Sequence, residues 1–237
     1  MLLLALFTAL LSSCIEGDEE IFLNADGSAR MIAVYSLPVI IFSDEDAAKM
    51  KEQIAKELGE EEKINLLTNK IERSSGKQVI TIEIEAANIL DLEALMDKGE
   101  DENKQDASKS EQVLDALLGE LSFRREGLAA GVNRKVDLKP LLDKFVGERW
   151  PSMLGDSEFR YTVHFPKPVK ASNAHEVSNG GKTVKWAYKL NECGENPIEL
   201  DVVTSVPLPW WVYAILVILI LLLLLGAWKM VCWARRP

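Results

Sequence analysis

An apolar stretch near the C-terminus, Trp210 to Trp228, constrains this chain more than any other feature. From Val212 to Ala227 it carries no charged side chain. About 19 helical residues cover roughly 28 Å, which matches the hydrocarbon thickness of a bilayer. A helix that is apolar on every side has no polar face to turn towards water, so lipid is its natural solvent. The sequence therefore predicts a transmembrane helix over residues 207–229.

Aromatic and proline residues mark the ends of this stretch. Tryptophan and tyrosine rings prefer the headgroup level of a bilayer. Prolines before the stretch prevent its helix from extending back into the preceding domain. The residues concerned are Pro207, Pro209, Trp210, Trp211, Tyr213, Trp228 and Trp233. A buried helix of a soluble protein is the alternative interpretation, which this length and these flanks disfavour.

The short tail after the stretch predicts the orientation of the chain. Lys229, Arg235 and Arg236 lie there, and no acidic residue accompanies them. Positive charge beside a membrane span marks the cytoplasmic side. We therefore expect a basic cytoplasmic tail at residues 230–237 and an exported domain before residue 207.

The N-terminus carries a second targeting signal. Leu2 to Leu11 is an apolar run of signal-peptide length, too short to span a bilayer. It ends in Leu11-Ser12-Ser13-Cys14, which resembles the lipobox of bacterial lipoproteins, although no Lys or Arg precedes the run. The resemblance implies that residues 1–13 are removed as a lipoprotein signal peptide and that Cys14 is the lipidation site. Acyl chains on Cys14 and the C-terminal helix would then both attach the protein to the membrane. The alternative is an ordinary signal cleaved elsewhere, with a free Cys14; both interpretations export the domain.

The exported part, residues 14–206, is strongly acidic. All 37 acidic residues lie within it, whereas three of the 27 Lys and Arg follow the apolar stretch, so it is more acidic than the whole chain at −10. Nucleic-acid binding requires basic patches, so we expect no nucleic-acid partner. The same charge argues against a surface pressed flat onto anionic lipid. The exported part holds Cys14 and Cys193 alone, so it is no disulfide scaffold, and we expect Cys193 to be a buried thiol rather than an exposed redox-active one.

Alternating apolar residues and turn signals predict the fold of the exported part. β-Hairpins are expected at residues 21–37, 71–86 and 120–137, helices at 44–59, 89–96, 110–118 and 138–146, and later strands at 159–165, 169–175, 183–190 and 198–204. The second strand of the first hairpin is partly apolar on both faces, so we expect both of its faces to be covered. The predicted class is α+β: an antiparallel β-sheet of hairpins with packed helices, plus one C-terminal transmembrane α-helix.

Two polar stretches are predicted to lie outside the packed fold. Ile15 to Glu20 reads as an acidic spacer between the membrane and the domain. Asp97 to Ser110 has one apolar residue in fourteen. Such a segment cannot offset the entropy cost of its own ordering, so residues 97–110 are expected to form a mobile acidic loop.

One basic cluster stands out in the acidic domain. It comprises Arg124, Arg125, Arg134 and Lys135, in the third hairpin. The cluster is interpreted either as a patch that contacts headgroups or a partner, or as cations that pair with nearby acidic residues across the strands. The second interpretation is favoured, because such pairs are common on sheet surfaces.

No arrangement of residues specifies a reaction. His164 is expected on the polar face of a strand and His175 near a turn, without metal-ligand spacing to a second His or Cys. The sequence shows neither a phosphate-binding glycine loop nor a nucleophile elbow. We therefore expect no enzyme, no catalytic residue, no metal and no cofactor.

Two sequence segments resemble a known family. The segments "EIFLNADGSARM", from Glu20, and "EFRYTVHFPKPVKASNAHEVSNGGKTVKWAYKL", from Glu158, together with the exported cysteine and the C-terminal span, are similar to the LppM-type bacterial lipoproteins. The resemblance implies an α+β envelope domain with a C-terminal membrane anchor that binds lipids or glycolipids at the outer face of the cytoplasmic (inner) membrane. It supplies no catalytic residues and does not extend to residues 44–118.

Three classes of function follow as hypotheses. The first is binding of a lipid or glycolipid in an apolar cavity, lined by Phe159, Tyr161, Trp186 and Tyr188; a filled core under these residues would argue against it. The second is a structural or assembly partner of another envelope protein, marked by a filled core and an exposed apolar patch. The third, a hydrolase, requires convergent polar groups in a pocket and has the least support.

Overall fold

The structure is a computed structural model that describes residues 15–59, 61–97, 108–126, 129–147, 150, 154, 157–193, 196–205, 212 and 214–224. At residues 95–97, 125, 126, 192 and 193 it describes the backbone alone. The chain divides into two compact units, Met1–Ser205 and Val206–Pro237. Each unit is described by itself.

The first unit contains two β-sheets. Its strands are β1 (Glu16–Leu23), β2 (Ala29–Pro38), β3 (Ile64–Ser74), β4 (Lys77–Ala86), β5 (Glu120–Glu126), β6 (Ala129–Val136), β7 (Glu158–His164), β8 (Val169–Ser172), β9 (Glu176–Ser178), β10 (Thr183–Lys189) and β11 (Ile198–Ser205). The large sheet has the order β3-β4-β2-β1-β7-β10-β9, and the small sheet has the order β5-β6-β11-β8. The three predicted hairpins are present, but β1 begins at Glu16 and β3 at Ile64, earlier than expected. The described strand pairs are antiparallel except β1 with β7, which is parallel.

Five helices accompany the sheets in the described part of the first unit. They are α1 (Asp44–Gly59), α2 (Ile89–Asp97), α3 (Lys109–Leu118), α4 (Lys139–Phe145) and α5 (Leu190–Cys193). The α1 helix buries Ala47, Met50, Ile54 and Leu58, the stripe that helical periodicity predicts. The α3 helix begins at a capping box in which the Ser108 hydroxyl and the Glu111 carboxylate exchange hydrogen bonds with each other's backbone. The predicted α+β class with a largely antiparallel sheet is thus confirmed.

The large sheet has one core face and one polar face. On β2, Ala29, Met31, Ala33, Tyr35 and Leu37 are buried, whereas the residues between them are half-buried or exposed. The expectation that both faces of this strand are covered is therefore wrong. The outward face carries ion pairs instead, such as Arg30 with Glu83 and Arg160 with Asp18.

The predicted acidic spacer is part of the large sheet. Residues Glu16 to Glu20 lie in β1, between β2 and β7, and the backbone N–H of buried Ile15 donates a hydrogen bond of 2.8 Å to the Ser157 hydroxyl. The spacer prediction is wrong because an acidic segment can form a strand of a packed sheet. Alternate residues point to opposite faces, so Glu16, Asp18 and Glu20 face outward. Glu19 faces inward, where it has a partner.

The predicted acidic loop is shorter than expected at both ends. The α2 helix continues to Asp97, and Ser108 caps α3, so residues 97 and 108–110 belong to regular structure. Residues 98–107 lie outside the described residues, and the prediction of mobility is not tested there.

The second unit is described at residues 212 and 214–224, which are helical. Ile215 to Leu224 are large apolar side chains with 47–66% of their surface exposed. Within the described residues, no helix is both long enough and apolar enough to cross a membrane. Residues 207–211, 213 and 225–229 of the predicted span lie outside the described residues, and the transmembrane helix stays a prediction.

Candidate functional site

A buried ion pair joins the two sheets at the centre of the first unit. The guanidinium of Arg134 on β6 donates two hydrogen bonds to the Glu19 carboxylate on β1, one of them 3.0 Å long from Nη2 to Oε1. Their side chains are 3% and 1% exposed. Since the two strands belong to different sheets, this contact shows that the core faces of the sheets lie opposite each other at these residues.

Further hydrogen bonds satisfy both charged groups. Arg134 donates to the carbonyl oxygens of Leu117 and Leu118, at 3.1 Å each, and its guanidinium lies 5.3 Å from the centre of the Tyr161 ring. The Tyr35 hydroxyl donates to Glu19 at 2.5 Å. Burial by itself lowers the pKa of Arg134, but the Glu19 charge outweighs it and the net pKa is raised. Burial, then the Glu19 charge, raises the pKa of Tyr35 well above its ordinary value, so Tyr35 stays a donor.

On one side of the ion pair the core is closed. Gly17 and Phe159, paired across β1 and β7, are buried there, as are Val136 and Ile198 on the small sheet. Helices α3 and α4 fill the remaining space with Val113, Leu117 and Leu142, among others. We call this region the closed end.

On the other side of the ion pair several of the inward-facing apolar side chains are half-buried. We call this region the mouth, and it comprises Ile21 and Leu23 on β1, Val163 on β7, Phe123 on β5, Val132 on β6 and Val169 on β8. The pairing registers place Ile21 beside Val163 on the large sheet and Phe123 beside Val132 on the small sheet, one row beyond Glu19 and Arg134. Their neighbours in the same row, Met31, Val184 and Val202, are buried, so the mouth is a partly exposed end of the core between the sheets.

An unsatisfied polar atom lies at the outer end of the mouth, two rows beyond Arg134. Thr204 pairs with Ala130 and Val169 and is 9% exposed. Among the described residues, its hydroxyl oxygen has no hydrogen-bond partner. A buried hydroxyl without a partner is costly, which makes Thr204 a position where a ligand atom could complete the structure.

The cavity predicted under the aromatic strands is not present where it was expected. Phe159, Tyr161 and Trp186 are 1–2% exposed in a packed core, and Tyr188 is half-buried with its hydroxyl donating to the Glu199 carbonyl oxygen. The cavity that touches Phe159 has a volume of about 20 Å³, which suits a water molecule and not an acyl chain. That assignment is wrong because large rings from neighbouring strands fill the space they line.

The two histidines lie in defined polar surroundings. His164 is on the outward face, as predicted, between the Glu20 carboxylate at 2.8 Å and the Thr183 hydroxyl at 3.1 Å, with its ring stacked on Phe22 at 4.5 Å. His175 accepts a hydrogen bond of 3.0 Å from the backbone N–H of Ala187. Among the described residues, no group of three or more His, Cys, Asp or Glu side chains could hold a metal ion.

The basic cluster of the third hairpin does not form a common surface. Arg134 points into the core to Glu19, and Arg124 lies on the surface, 3.8 Å from Asp201. Lys135 is paired in register with Glu120 and Glu199. The favoured interpretation, surface pairing with an acidic residue across the strands, is confirmed for Arg124. It is wrong for Arg134, whose acidic partner lies on the other sheet in the core; the side chain of Arg125 lies outside the described residues.

A second opening borders the large sheet. It is an open groove of about 880 Å³, lined by Phe22, Asn24, Ser28, Ala29, Arg30, Glu62, Lys63, Ile64, Asn65, Glu85, Ala86 and Ala87. Its lining mixes apolar, polar and charged side chains, so it lacks the continuous apolar lining that an acyl chain requires.

Sequence reasoning missed Glu19 and the mouth, and it could not place the cysteines. The signal for Glu19 was available, since Ile15, Gly17 and Ile21 alternate with acidic residues around it. Cys14 lies outside the described residues, as does the side chain of Cys193, so the lipidation site and the buried thiol stay predictions.

Comparison with known proteins shows a similarity of fold. No protein-family model matches this sequence, and no curated protein matches it either. Among solved structures, the chain is similar to the NMR structure of the folded domain of the LppM protein from Mycobacterium tuberculosis. The two share 14% sequence identity with a TM-score of 0.50, over 82% of this chain and 91% of that chain. The likeness is one of fold, and it agrees with the family resemblance of the two sequence segments.

Proposed function

We propose that this protein is a non-enzymatic, membrane-anchored bacterial envelope lipoprotein whose exported domain binds a lipid or glycolipid at the outer face of the cytoplasmic membrane. In this proposal Cys14 is acylated, residues 207–229 span the membrane, and the C-terminal tail is cytoplasmic. The apolar segment and the signals at both ends of the sequence support the localisation. The fold shared with the mycobacterial LppM domain supports an envelope protein.

The mouth is the observation that carries the binding function. It offers apolar side chains from both sheets, which suits the methylene chain of a lipid. Behind it, the Glu19–Arg134 ion pair and the packed aromatic residues close the core. An acyl chain would therefore enter only as far as the ion pair, with its ester or headgroup near the Thr204 hydroxyl.

The direction of β11 brings the mouth to the end of the domain where the chain leaves it. Thr204 and Ser205 are the last residues of β11, and the predicted membrane segment begins at residue 207. A chain that continues into a predicted membrane segment supports a membrane lipid rather than a soluble metabolite as the ligand.

Native mass spectrometry tests the proposal. Residues 14–205 with Cys14→Ser would be expressed in a bacterial host and purified without detergent. We expect a defined extra mass that organic solvent releases and that lipid analysis identifies. A clean apo mass, together with no uptake of a fluorescent acyl probe, would contradict lipid binding.

The second candidate function is a structural or assembly partner of another envelope protein. The observation that favours it is the filled core beneath Phe159, Tyr161 and Trp186. Exposed apolar side chains, among them Ile40 at 88%, offer contact points for a partner. Crosslinking of the intact protein in its own membrane would capture that partner if the mass spectrum shows no lipid.

A further inference from the structure

Three lysines lie together beside the mouth, in a domain that is acidic as a whole. Lys167 and Lys170 flank the start of β8, and Lys182 ends the turn before β10. The backbone N–H of Phe165 donates a hydrogen bond of 2.7 Å to the Lys182 carbonyl oxygen, which holds the two segments next to each other. We call Lys167, Lys170 and Lys182 the basic rim.

Local packing fixes the backbone of this rim. Gly181 has φ near +85°, a conformation that glycine adopts readily, and a Cβ on it would lie 3.2 Å from Cβ of Pro168. The turn therefore packs closely against the segment that carries Lys167. The rim is a defined feature of the fold at the same end as Val163 and Val169 of the mouth.

The rim cations are free to meet an external anion. Among the described residues, no acidic side chain lies within ion-pair distance of the three lysines, whereas many other surface cations of the domain are paired. Lys170 and Lys182 are exposed and Lys167 is half-buried. From residue 165 to residue 182 the only acidic residue is Glu176, which lies 3.8 Å from Lys185.

An apolar side chain accompanies the cations. Val177 on the edge strand β9 is paired with Val184 and is 51% exposed. Unpaired cations together with an exposed apolar side chain suit the interface of a membrane, where lysines reach phosphate groups and apolar atoms reach the acyl region.

We propose that the basic rim docks the domain on a bilayer that contains anionic phospholipids, with the mouth turned towards the lipid. This proposal rests on the proposed lipid-binding function, because docking would serve lipid uptake. The docking step itself requires no lipid between the sheets. The overall negative charge opposes approach at long range. Salt screens that repulsion beyond about 8 Å, so the sign of the charges at the contacting surface determines whether the domain binds.

The isolated domain is suitable for the test. Every buried core residue that the structure describes lies between Ile15 and Val202, so the unit contains its own core without the segment that follows. Residues 14–205 with Cys14→Ser would be floated with vesicles of phosphatidylcholine alone or of phosphatidylcholine mixed with phosphatidylglycerol.

We expect binding to the mixed vesicles, little binding to the neutral ones, and weakening as salt rises. Lys170→Glu with Lys182→Glu is expected to weaken binding at least about tenfold, because each lysine near an anionic surface adds a similar amount to the attraction. The control is Lys51→Glu with Lys56→Glu, which makes the same charge change at exposed positions on α1 and should leave binding unchanged.

Several outcomes would overturn the proposal. One is that the two double variants lose binding equally. A second is that wild-type binding does not depend on phosphatidylglycerol. A third is that the domain binds a soluble polyanion such as heparin but does not bind vesicles. Native mass spectrometry separates docking from lipid uptake. A rim variant that still carries lipid but no longer floats supports docking as a separate step, whereas a wild-type domain that floats without bound lipid contradicts the proposed function and leaves docking intact.

Discussion

Glu19 on β1 and Arg134 on β6, 115 residues apart in sequence, form the ion pair that joins the two sheets of this domain. Both are almost completely buried, and hydrogen bonds from Tyr35 and to the carbonyl oxygens of helix α3 complete their shells. The pair also divides the space between the sheets into the closed end and the mouth. We therefore expect the stability of the pair and the proposed lipid binding to be linked.

Removal of one partner of this pair should be strongly destabilising. Glu19→Ala or Arg134→Ala leaves the other charge buried and unpaired, which costs about 3–5 kcal/mol. Urea denaturation measures the loss. The control is Asp18→Ala, which breaks the exposed pair with Arg160 and should cost at most about 1 kcal/mol. Equal losses in Glu19→Ala and Asp18→Ala would contradict the assigned burial.

The closed end should not tolerate a side chain at position 17. A Cβ on Gly17 would lie 2.4 Å from Cδ1 of the buried Phe159 ring, so one of the two must move. Gly17→Ala should lower the free energy of unfolding by about 1–3 kcal/mol. Adding Phe159→Leu should restore part of the loss, because a smaller side chain makes room. Gly59→Ala, with no atom within 4 Å of the new Cβ, serves as the control and should not destabilise the domain.

The start of α1 should make the domain sensitive to acid. Burial raises the pKa of Asp46, but hydrogen bonds from Ser43 and the Lys109 charge outweigh it, so the net pKa lies below 3.8. The carboxylate therefore stabilises the fold above about pH 4, and this contribution is lost as pH falls through the folded pKa. Asp46→Asn should be less stable than wild type at pH 7, and the difference should shrink below pH 4 in urea titrations. A difference that stays constant down to pH 2 would contradict this assignment.

A charge in the mouth should prevent lipid uptake. Val163→Asp places a carboxylate among apolar side chains that would contact the acyl chain, and we expect the extra mass to disappear from the native mass spectrum. Thr162→Asp puts the same charge on the neighbouring residue, which faces the opposite side of β7, and should keep the lipid. Urea denaturation confirms that Val163→Asp is folded. Lipid bound equally by both variants would place the ligand elsewhere.

Thr204 tests whether a ligand atom completes the outer end of the mouth. Thr204→Val removes a buried hydroxyl that has no partner among the described residues, so the lipid-free domain should become more stable, by about 1 kcal/mol. If a lipid ester or headgroup pairs with this hydroxyl, the same change should reduce lipid occupancy. An increase in stability without any change in occupancy would show that the ligand does not reach Thr204.

The hairpins were predictable because their information is local. The turn at Ser75-Gly76, with positive φ at both residues, joins β3 to β4 as the sequence signal predicts. The same holds for α1, whose stripe and cap lie within one segment of the chain. The wrong predictions concern which face of a sheet is covered and which residue a side chain meets. Glu19 is an example, because its acidic surroundings in the sequence led to the prediction of a spacer.

The sequence by itself determined the hairpins, the main helices, the inward stripe of α1, and which terminal segments predict membrane attachment. Periodicity and turn chemistry carry this information within a few residues. Only the tertiary structure decided that β1 lies parallel to β7, that Arg134 meets Glu19, and that apolar residues of both sheets stay half-buried at the mouth. The physical reason is that alternation along a strand shows which way a side chain points, whereas what it meets there depends on the packing of segments far apart in the chain.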